Sequence, residues 1–225
     1  ITDDDIPIRV QLTISDESIT VDFADTASQV AGNVNAPRAV TKSAVYYVVR
    51  AVTDPDIPPN HGCYEPVSIE IPPGSLLDPE PPAAVVGGNV ETSQRVTDTV
   101  LSAFAKAVPD ELPAQGQGTM NNLTIGSRND QGFSYYETIG GGFGGRPTKD
   151  GMDGVQVGMT NTLNTPIEAL EAEYPLRVTR YALRPDSGGR GRYRGGHGIE
   201  RQLETDVPAT VSLLTDRRRH PPRGV

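Results

Sequence analysis

A carboxylate followed by a run of glycines is the feature of this sequence best suited to chemistry. Glu137 ends an aromatic stretch, and the only residue that interrupts the glycines of segment 140–145 is Phe143. Glycine loses the most backbone entropy on folding, so a dense cluster indicates positive φ or close approach of the backbone to another group. A carboxylate at such a strand end could be a general base or a substrate anchor. The alternative is an exposed or capping glutamate.

The glycine loop 140–145 allows three interpretations. Backbone N–H groups of a glycine loop can form an anion-binding nest, which would suit a phosphate. However, no Gly-Lys-Ser/Thr sequence and no hydrophobic helix follow, because Arg146 and Pro147 continue the chain as loop. A substrate-facing loop and simple packing or turn geometry are therefore favoured over a nucleotide site.

Other polar clusters are weaker candidates for a site. Asp150 and Asp153 could bind calcium, but the alternating ligands and terminal glutamate of an EF-hand loop are absent, so turn chemistry is favoured. The polar stretch 161–165 is interpreted as the N-cap region of a helix. No Gly-x-Ser-x-Gly motif marks a serine nucleophile. The three histidines are far apart and are interpreted as loop residues: His61, His197 and His220.

Hydrophobic periodicity predicts the elements that must position these residues. Helices are predicted over residues 38–52, 91–107 and 166–173, with Asn89 or Thr92 as the cap of the second. Strands are predicted over 8–14, 19–23, 67–71, 83–88, 119–125, 132–139, 176–184, 199–205 and 209–214. The 119–125 and 132–139 strands are expected to pair around residues 126–130. The resulting fold class is α+β, with mixed or antiparallel sheets flanked by two or three helices and many glycine-rich loops.

Composition narrows the class of partner. The formal net charge is −9 and no basic stripe offsets it, so a nucleic-acid partner is not expected. No apolar run approaches the roughly 20 residues that span a bilayer. Cys63 is the single cysteine, which excludes an internal disulfide and fits a reducing cytoplasm as the predicted location. Since residue 1 is not a methionine, we expect residues 1–225 to be a piece of a larger protein, with a sub-boundary near 110–118.

Several segments together resemble the hydantoinase B/oxoprolinase family. They occur in the family's order and spacing across nearly the whole chain, and the main ones are Asn60-His61-Gly62-Cys63, Gly88-Asn89-Val90-Glu91-Thr92-Ser93-Gln94-Arg95, Tyr136-Glu137-Thr138-Ile139-Gly140-Gly141-Gly142 and Arg194-Gly195-Gly196-His197-Gly198. On this resemblance, the chain is an internal-to-C-terminal fragment of a hydantoinase B-type subunit.

The resemblance implies an ATP-dependent hydrolase that opens a cyclic amide: hydantoin, N-methylhydantoin or 5-oxoproline. It also implies an A-type partner subunit or half that binds ATP and Mg²⁺. Where the carboxylase branch of the family has a divalent metal, its ligands belong to an N-terminal part that precedes these residues, so no metal ligand is assigned here. The alternatives are a subunit of an ATP-dependent acetone or acetophenone carboxylase and a non-catalytic assembly module.

An unactivated amide resists hydrolysis, so coupling to ATP is chemically reasonable. Without a P-loop, the expected contribution of this chain is to position the activated substrate and stabilise its charge. The residues expected to do so are Glu137 and Asn121 as catalytic groups, and Asn89, Arg95, Gly140, Gly141 and Gly142 as substrate-binding groups.

Overall fold

The computed structural model describes residues 5–127 and 132–225. The chain divides into two compact units, Ile1–Leu112 and Pro113–Val225. None of the helices within the described residues is long and apolar enough to cross a membrane.

Within its described residues, the first unit combines a three-stranded sheet with two α-helices. Its strands are β1 (Gln11–Ile14), β2 (Ile19–Asp22) and β3 (Val67–Glu70), in the order β1–β2–β3. The predicted hairpin is confirmed: β1 and β2 are antiparallel, whereas β2 and β3 are parallel. Helix α1 (Arg38–Val52) has the predicted bounds, because its apolar residues recur at helical spacing and Pro37 precedes its first turn.

The second helix of this unit begins differently from the sequence prediction. Residues 83–88 are not a strand; a π-helical turn, Gly88–Thr92, leads directly into α2 (Ser93–Phe104). The cause is tertiary: a Cβ on Gly88 would lie 1.9 Å from the carbonyl oxygen of Asn35, so the two backbone segments touch. Thr92 does not cap α2, because its backbone is helical and its hydroxyl donates to the carbonyl oxygen of Val34.

In the part of the second unit that the structure describes, there are two antiparallel sheets and one short helix. Its elements are β4 (Asn122–Ser127), β5 (Phe133–Thr138), α3 (Ile167–Glu173), β6 (Leu176–Leu183), β7 (Ile199–Thr205) and β8 (Thr210–Leu214). The strand orders are β5–β4–β8 and β6–β7. The predicted pairing of β4 with β5 is confirmed; residues 128–131 of the turn between them lie outside the described residues. Strands β7 and β8, although consecutive, belong to different sheets.

One apolar cluster holds the second unit together. Alternate residues of β4 and β5 point to the same face, where α3 and the start of β6 cover them. The buried members are Leu123, Ile125, Tyr135, Leu170 and Leu176. The ring of Tyr135 also meets the ring of Tyr174 edge-on, with centroids 5.1 Å apart. The predicted α+β class is therefore confirmed.

Candidate functional site

Glu137 is buried and paired with an arginine. Its Oε2 lies 2.9 Å from Nε of Arg201, and the two side chains are 3% and 0% exposed. Its Oε1 accepts a hydrogen bond of 3.0 Å from the backbone N–H of Thr165. A general base must reach the proton that it removes, whereas this carboxylate is committed to two protein groups. The geometry therefore argues against Glu137 as a base or substrate anchor and favours a positioning role for it.

Arg201 is the buried partner of Glu137 that sequence reasoning missed. Its guanidinium also donates to the carbonyl oxygen of Thr165 at 3.1 Å and lies 4.8 Å from the ring centroid of Tyr181. A signal was present in the sequence: Arg201 occupies the same parity of β7 as Ile199 and Leu203, so it points to the apolar side of that strand. A charge at such a position needs a buried partner.

The segment 161–165 is fastened to the end of β5 and does not cap α3 as predicted. The hydroxyls of Thr162 and Thr138 are 2.6 Å apart, and the side-chain amide of Asn164 donates to the carbonyl oxygen of Thr138 at 3.1 Å. At the start of α3 the N-cap position is Pro166, which makes no side-chain cap hydrogen bond. Together with Thr165, these contacts fix the strand end that leads into the glycine loop.

Asn121 links the start of β4 to the end of β5. Its φ is +48°, a left-handed conformation that asparagine tolerates better than most residues. Its carbonyl oxygen accepts from the N–H of Ile139 at 3.2 Å, and its side-chain amide lies 3.3 Å from Oε1 of Gln117. The structure therefore brings Asn121 next to the glycine loop, as a substrate site there would require.

The glycines of the loop are needed because other backbone segments approach closely. Gly141 exchanges two backbone hydrogen bonds with Val155, at 2.9 and 2.7 Å. An added Cβ on Gly141 would lie 1.9 Å from Oε1 of Gln117, and one on Gly142 would lie 1.9 Å from the carbonyl oxygen of Gly196. The Gly141 N–H is thus directed at a protein carbonyl, which argues against a phosphate cradle. Of the three interpretations, packing has direct structural support.

Three loop segments stack backbone against backbone around this point. We name them the glycine-rich layer: residues 140–145, 150–155 and 194–198. Phe143 donates its N–H to the carbonyl oxygen of Met152 and accepts from the N–H of Gly196, at 2.9 and 2.8 Å. A Cβ on Gly196 would lie 1.8 Å from the carbonyl oxygen of Met152. Such spacing leaves no room for a side chain at Gly142 or Gly196.

An ion-paired clip joins two segments of the glycine-rich layer. Arg194 donates to both carboxylate oxygens of Asp153, at 2.7 and 3.1 Å, and the N–H of His197 donates to the same carboxylate at 2.7 Å. These bonds, first of all those from Arg194, lower the pKa of Asp153 to about 2. Asp150 accepts from the backbone N–H of Arg194. Both carboxylates are therefore engaged by Arg194, which supports turn chemistry over a calcium loop.

The remaining predicted site residues belong to the first unit. Asn89 lies exposed in the π-helical turn, and its carbonyl oxygen accepts from the hydroxyl of Ser93 at 2.6 Å. Arg95 forms a 2.9 Å ion pair with Asp98, with the two side chains 20% and 13% exposed. The structure thus separates the candidates into two groups: Asn89 and Arg95 in one unit, and Asn121, Glu137 and Gly140–Gly142 in the other.

Sequence reasoning also missed the buried polar side chains around the π-helical turn. Glu91 and Gln94 are only 5% and 2% exposed. Single π-helical turns occur frequently at functional sites. The sequence carried one signal: most residues between Gly88 and Val96, the first apolar position of the predicted helix, are polar.

Comparison with known proteins identifies the family. The hydantoinase B/oxoprolinase family model matches residues 1–225. A 5-oxoprolinase of Arabidopsis thaliana is 50% identical over 225 residues, and a 5-oxoprolinase of Dictyostelium discoideum is 45% identical. A protein provisionally named as the B-type subunit of a D-/L-hydantoinase, from Pseudomonas sp. (strain NS671), is 33% identical over 228 residues.

The chain spans only part of each relative. Each alignment covers 98% or 99% of this chain, but 17% of each of the two 5-oxoprolinases and 38% of the hydantoinase protein. More than half of each relative therefore lies outside the matched region.

Solved structures agree with this assignment. The ATP-dependent caprolactamase from Pseudomonas jessenii matches with a TM-score of 0.76 and 27% identity, over 87% of this chain and 35% of its own. Nucleotide-free acetone carboxylase matches with a TM-score of 0.73, over 85% of this chain and 27% of its own; at 19% identity it shows the fold alone. With a family match over its whole length, the chain belongs to the hydantoinase B/oxoprolinase family.

Proposed function

We propose that the chain is part of an ATP-dependent amidohydrolase that opens a cyclic amide. The preferred substrate is 5-oxoproline, ahead of hydantoin and N-methylhydantoin. The observation that carries this proposal is the 50% identity to a 5-oxoprolinase over 99% of the chain. The similarity to a caprolactamase supports the same substrate class, because caprolactam is also a cyclic amide.

We assign ATP and Mg²⁺ to an A-type subunit or half of the enzyme. The residues of this chain fit a nucleotide phosphate poorly, because the N–H of Gly141 donates to Val155 and no P-loop lysine follows the glycines. The partner is supported by a relative that is named as one subunit of a hydantoinase. A divalent metal, where the enzyme uses one, is assigned to the N-terminal part of the B-type protein; among the described residues no cluster of three His, Cys, Asp or Glu could hold a metal ion.

The contribution of this chain is substrate positioning. A cyclic amide presents an N–H donor beside a C=O acceptor. The Nδ2 group of Asn121 already donates to Gln117 and Ile139, so its Oδ1 is the atom proposed to accept from the substrate N–H. Asn121 adjoins the backbone of Gly140–Gly142, which supports these residues as one substrate contact. Glu137 and Arg201 act through them, by fixing the strand end. In the first unit, exposed Asn89 and partly exposed Arg95 are proposed as a second contact.

The decisive experiment is reconstitution of the complete B-type protein with its A-type partner. ATP hydrolysis is measured with and without each cyclic amide, and 5-oxoproline is expected to stimulate it roughly tenfold or more. Failure of every cyclic amide to stimulate ATP hydrolysis overturns the proposal. If only acetone or acetophenone, each with bicarbonate, stimulates ATP hydrolysis, the result supports the carboxylase function instead.

A further inference from the structure

The apolar face of the β5–β4–β8 sheet extends past α3 and β6, the elements that cover it. Residues that lie opposite each other across the ladder share a face, and Ile125 is opposite Val211 while Leu123 is opposite Leu213. On β4 these side chains are 4% and 8% exposed; on β8 their partners are 55% and 66% exposed. The core face of the unit is therefore closed over β4 and open over β8.

The same two residues of β8 also present free backbone groups. The N–H of Ile139 donates to the carbonyl oxygen of Asn121. The backbone N–H and C=O groups of the odd-numbered residues of β4 therefore point toward β5. In an antiparallel ladder the backbone groups of the intervening residues point to the opposite neighbour, so those of Asn122, Thr124 and Gly126 form hydrogen bonds with β8. Their partners are Leu214, Ser212 and Thr210. The N–H and C=O groups of Val211 and Leu213 consequently point away from β4, along the edge of the sheet within the described part of the chain.

This edge lacks the protection that exposed edges normally carry. Natural edge strands are blunted by charged side chains, proline or bulges, because a free apolar edge invites pairing with another strand. The sequence of β8 is Thr-Val-Ser-Leu-Leu, with neither a charge nor a proline, and its register with β4 is regular over all five residues. Both the side chains and the backbone of β8 are thus suited to receive a further strand.

We propose that β8 is a seam of the enzyme, where an extended apolar segment from outside these 225 residues adds as the next strand. This strand comes from the same larger protein, in a region that the relatives also have and that lies outside the matched residues. The source is supported by the relatives, because more than half of each relative lies beyond the matched region. The chemistry of the occupant is supported by the uncharged edge, which favours an apolar, backbone-paired strand over a charged one. Its side chains cover Val211 and Leu213 and close the core face.

The test is amide hydrogen exchange in the complete enzyme, resolved to single residues of β8. Ser212 bonds to β4 and is the internal reference. We expect the amides of Val211 and Leu213 to exchange about as slowly as that of Ser212, whereas an uncovered edge would let them exchange roughly 100-fold faster. Fast exchange of both residues in the complete enzyme overturns the proposal. Protection in the complete enzyme that is lost on dilution also overturns it, because the occupant is then a separate chain.

A charge placed on the seam gives an independent readout. Leu213→Lys should lower the Tm of the complete enzyme by several degrees, because the added strand buries a side chain that is 66% exposed in residues 1–225. Ser212→Lys, on the opposite face of the same strand, is the matched control. Equal effects of the two substitutions in the complete enzyme contradict a covered Val211–Leu213 face. Neither residue belongs to the proposed substrate contacts, so this result is independent of the substrate assay.

Discussion

Glu137 and Arg201 form a fully buried ion pair that also holds the backbone of Thr165 through both of its peptide groups. Oε1 of Glu137 accepts from the N–H of Thr165, and the Arg201 guanidinium donates to its carbonyl oxygen. Removing one member of such a pair leaves an uncompensated buried charge, which is far more costly than losing the pair itself.

Glu137→Gln should therefore destabilise the chain by about 3–5 kcal/mol. The free energy of unfolding in urea measures this, and activity should fall because the end of β5 is no longer fixed. Glu200→Gln is the control: Glu200 pairs with Arg180 at 3.0 Å with side chains 35% and 50% exposed, so a loss of only about 0–1 kcal/mol is expected. Equal losses in the two variants would contradict the assigned role of Glu137.

Asn121 can be tested by separating its backbone conformation from its side chain. Asn121→Gly keeps the positive φ at no steric cost, so the protein should remain folded. If the amide contacts the substrate, substrate-stimulated ATP hydrolysis should fall roughly tenfold or more. Asn121→Ala adds a strain of about 1–2 kcal/mol, because alanine disfavours the left-handed region. Full activity of both variants, with normal assembly, would favour a non-catalytic assembly module.

The glycines of the layer should differ in their tolerance of a methyl group. Gly142→Ala meets a backbone oxygen that cannot move aside, so a loss of about 1–3 kcal/mol is expected. Gly141→Ala should cost less, because its nearest obstacle, Oε1 of Gln117 at 1.9 Å, can rotate away, although Cβ of Gln117 also lies only 2.8 Å from the added methyl group. Gly189→Ala, which finds open space, is the control. Thermal unfolding of the three variants should follow this order; any other order argues against close backbone packing.

The Asp153 clip predicts a specific acid sensitivity. Because the folded-state pKa of Asp153 is about 2, below its ordinary 3.8, the contribution of the clip is complete above pH 4. It is lost as the pH falls from about 4 to about 2. The urea midpoint of the unaltered chain should therefore exceed that of Asp153→Asn at pH 7, and the difference should shrink toward pH 2.5. A difference that stays constant over this range would be contrary to expectation.

Local sequence patterns correctly predicted those elements whose tertiary contacts favour the same conformation as their own residues. Helix α1 and strand β7 have the predicted bounds, because a single apolar period runs through each of them. Residues 83–88 were predicted as a buried strand end, but Val86 is 69% exposed and Gly88 is held against Asn35. A contact between segments distant in sequence decided that conformation, and no local pattern encodes it.

The candidate site was predictable in place more than in role. The end of β5 and the glycine loop meet at Asn121, which agrees with the predicted pairing of the 119–125 and 132–139 strands. The role of Glu137 was not predictable, because its partner Arg201 lies 64 residues further along the chain on β7. Pairing between sheets, rather than position at a strand end, determines what that carboxylate can do.

The glycine-rich layer is an interior built from peptide groups instead of hydrocarbon. Heat capacity of unfolding rises with exposed apolar area and falls with exposed polar area. Opening this layer should thus contribute little to the heat capacity change, and its hydrogen bonds should not weaken on cooling as hydrophobic contacts do. In calorimetry, the Pro113–Val225 unit should show a heat capacity increment per residue below that of the Ile1–Leu112 unit, whose helices enclose an aliphatic interior.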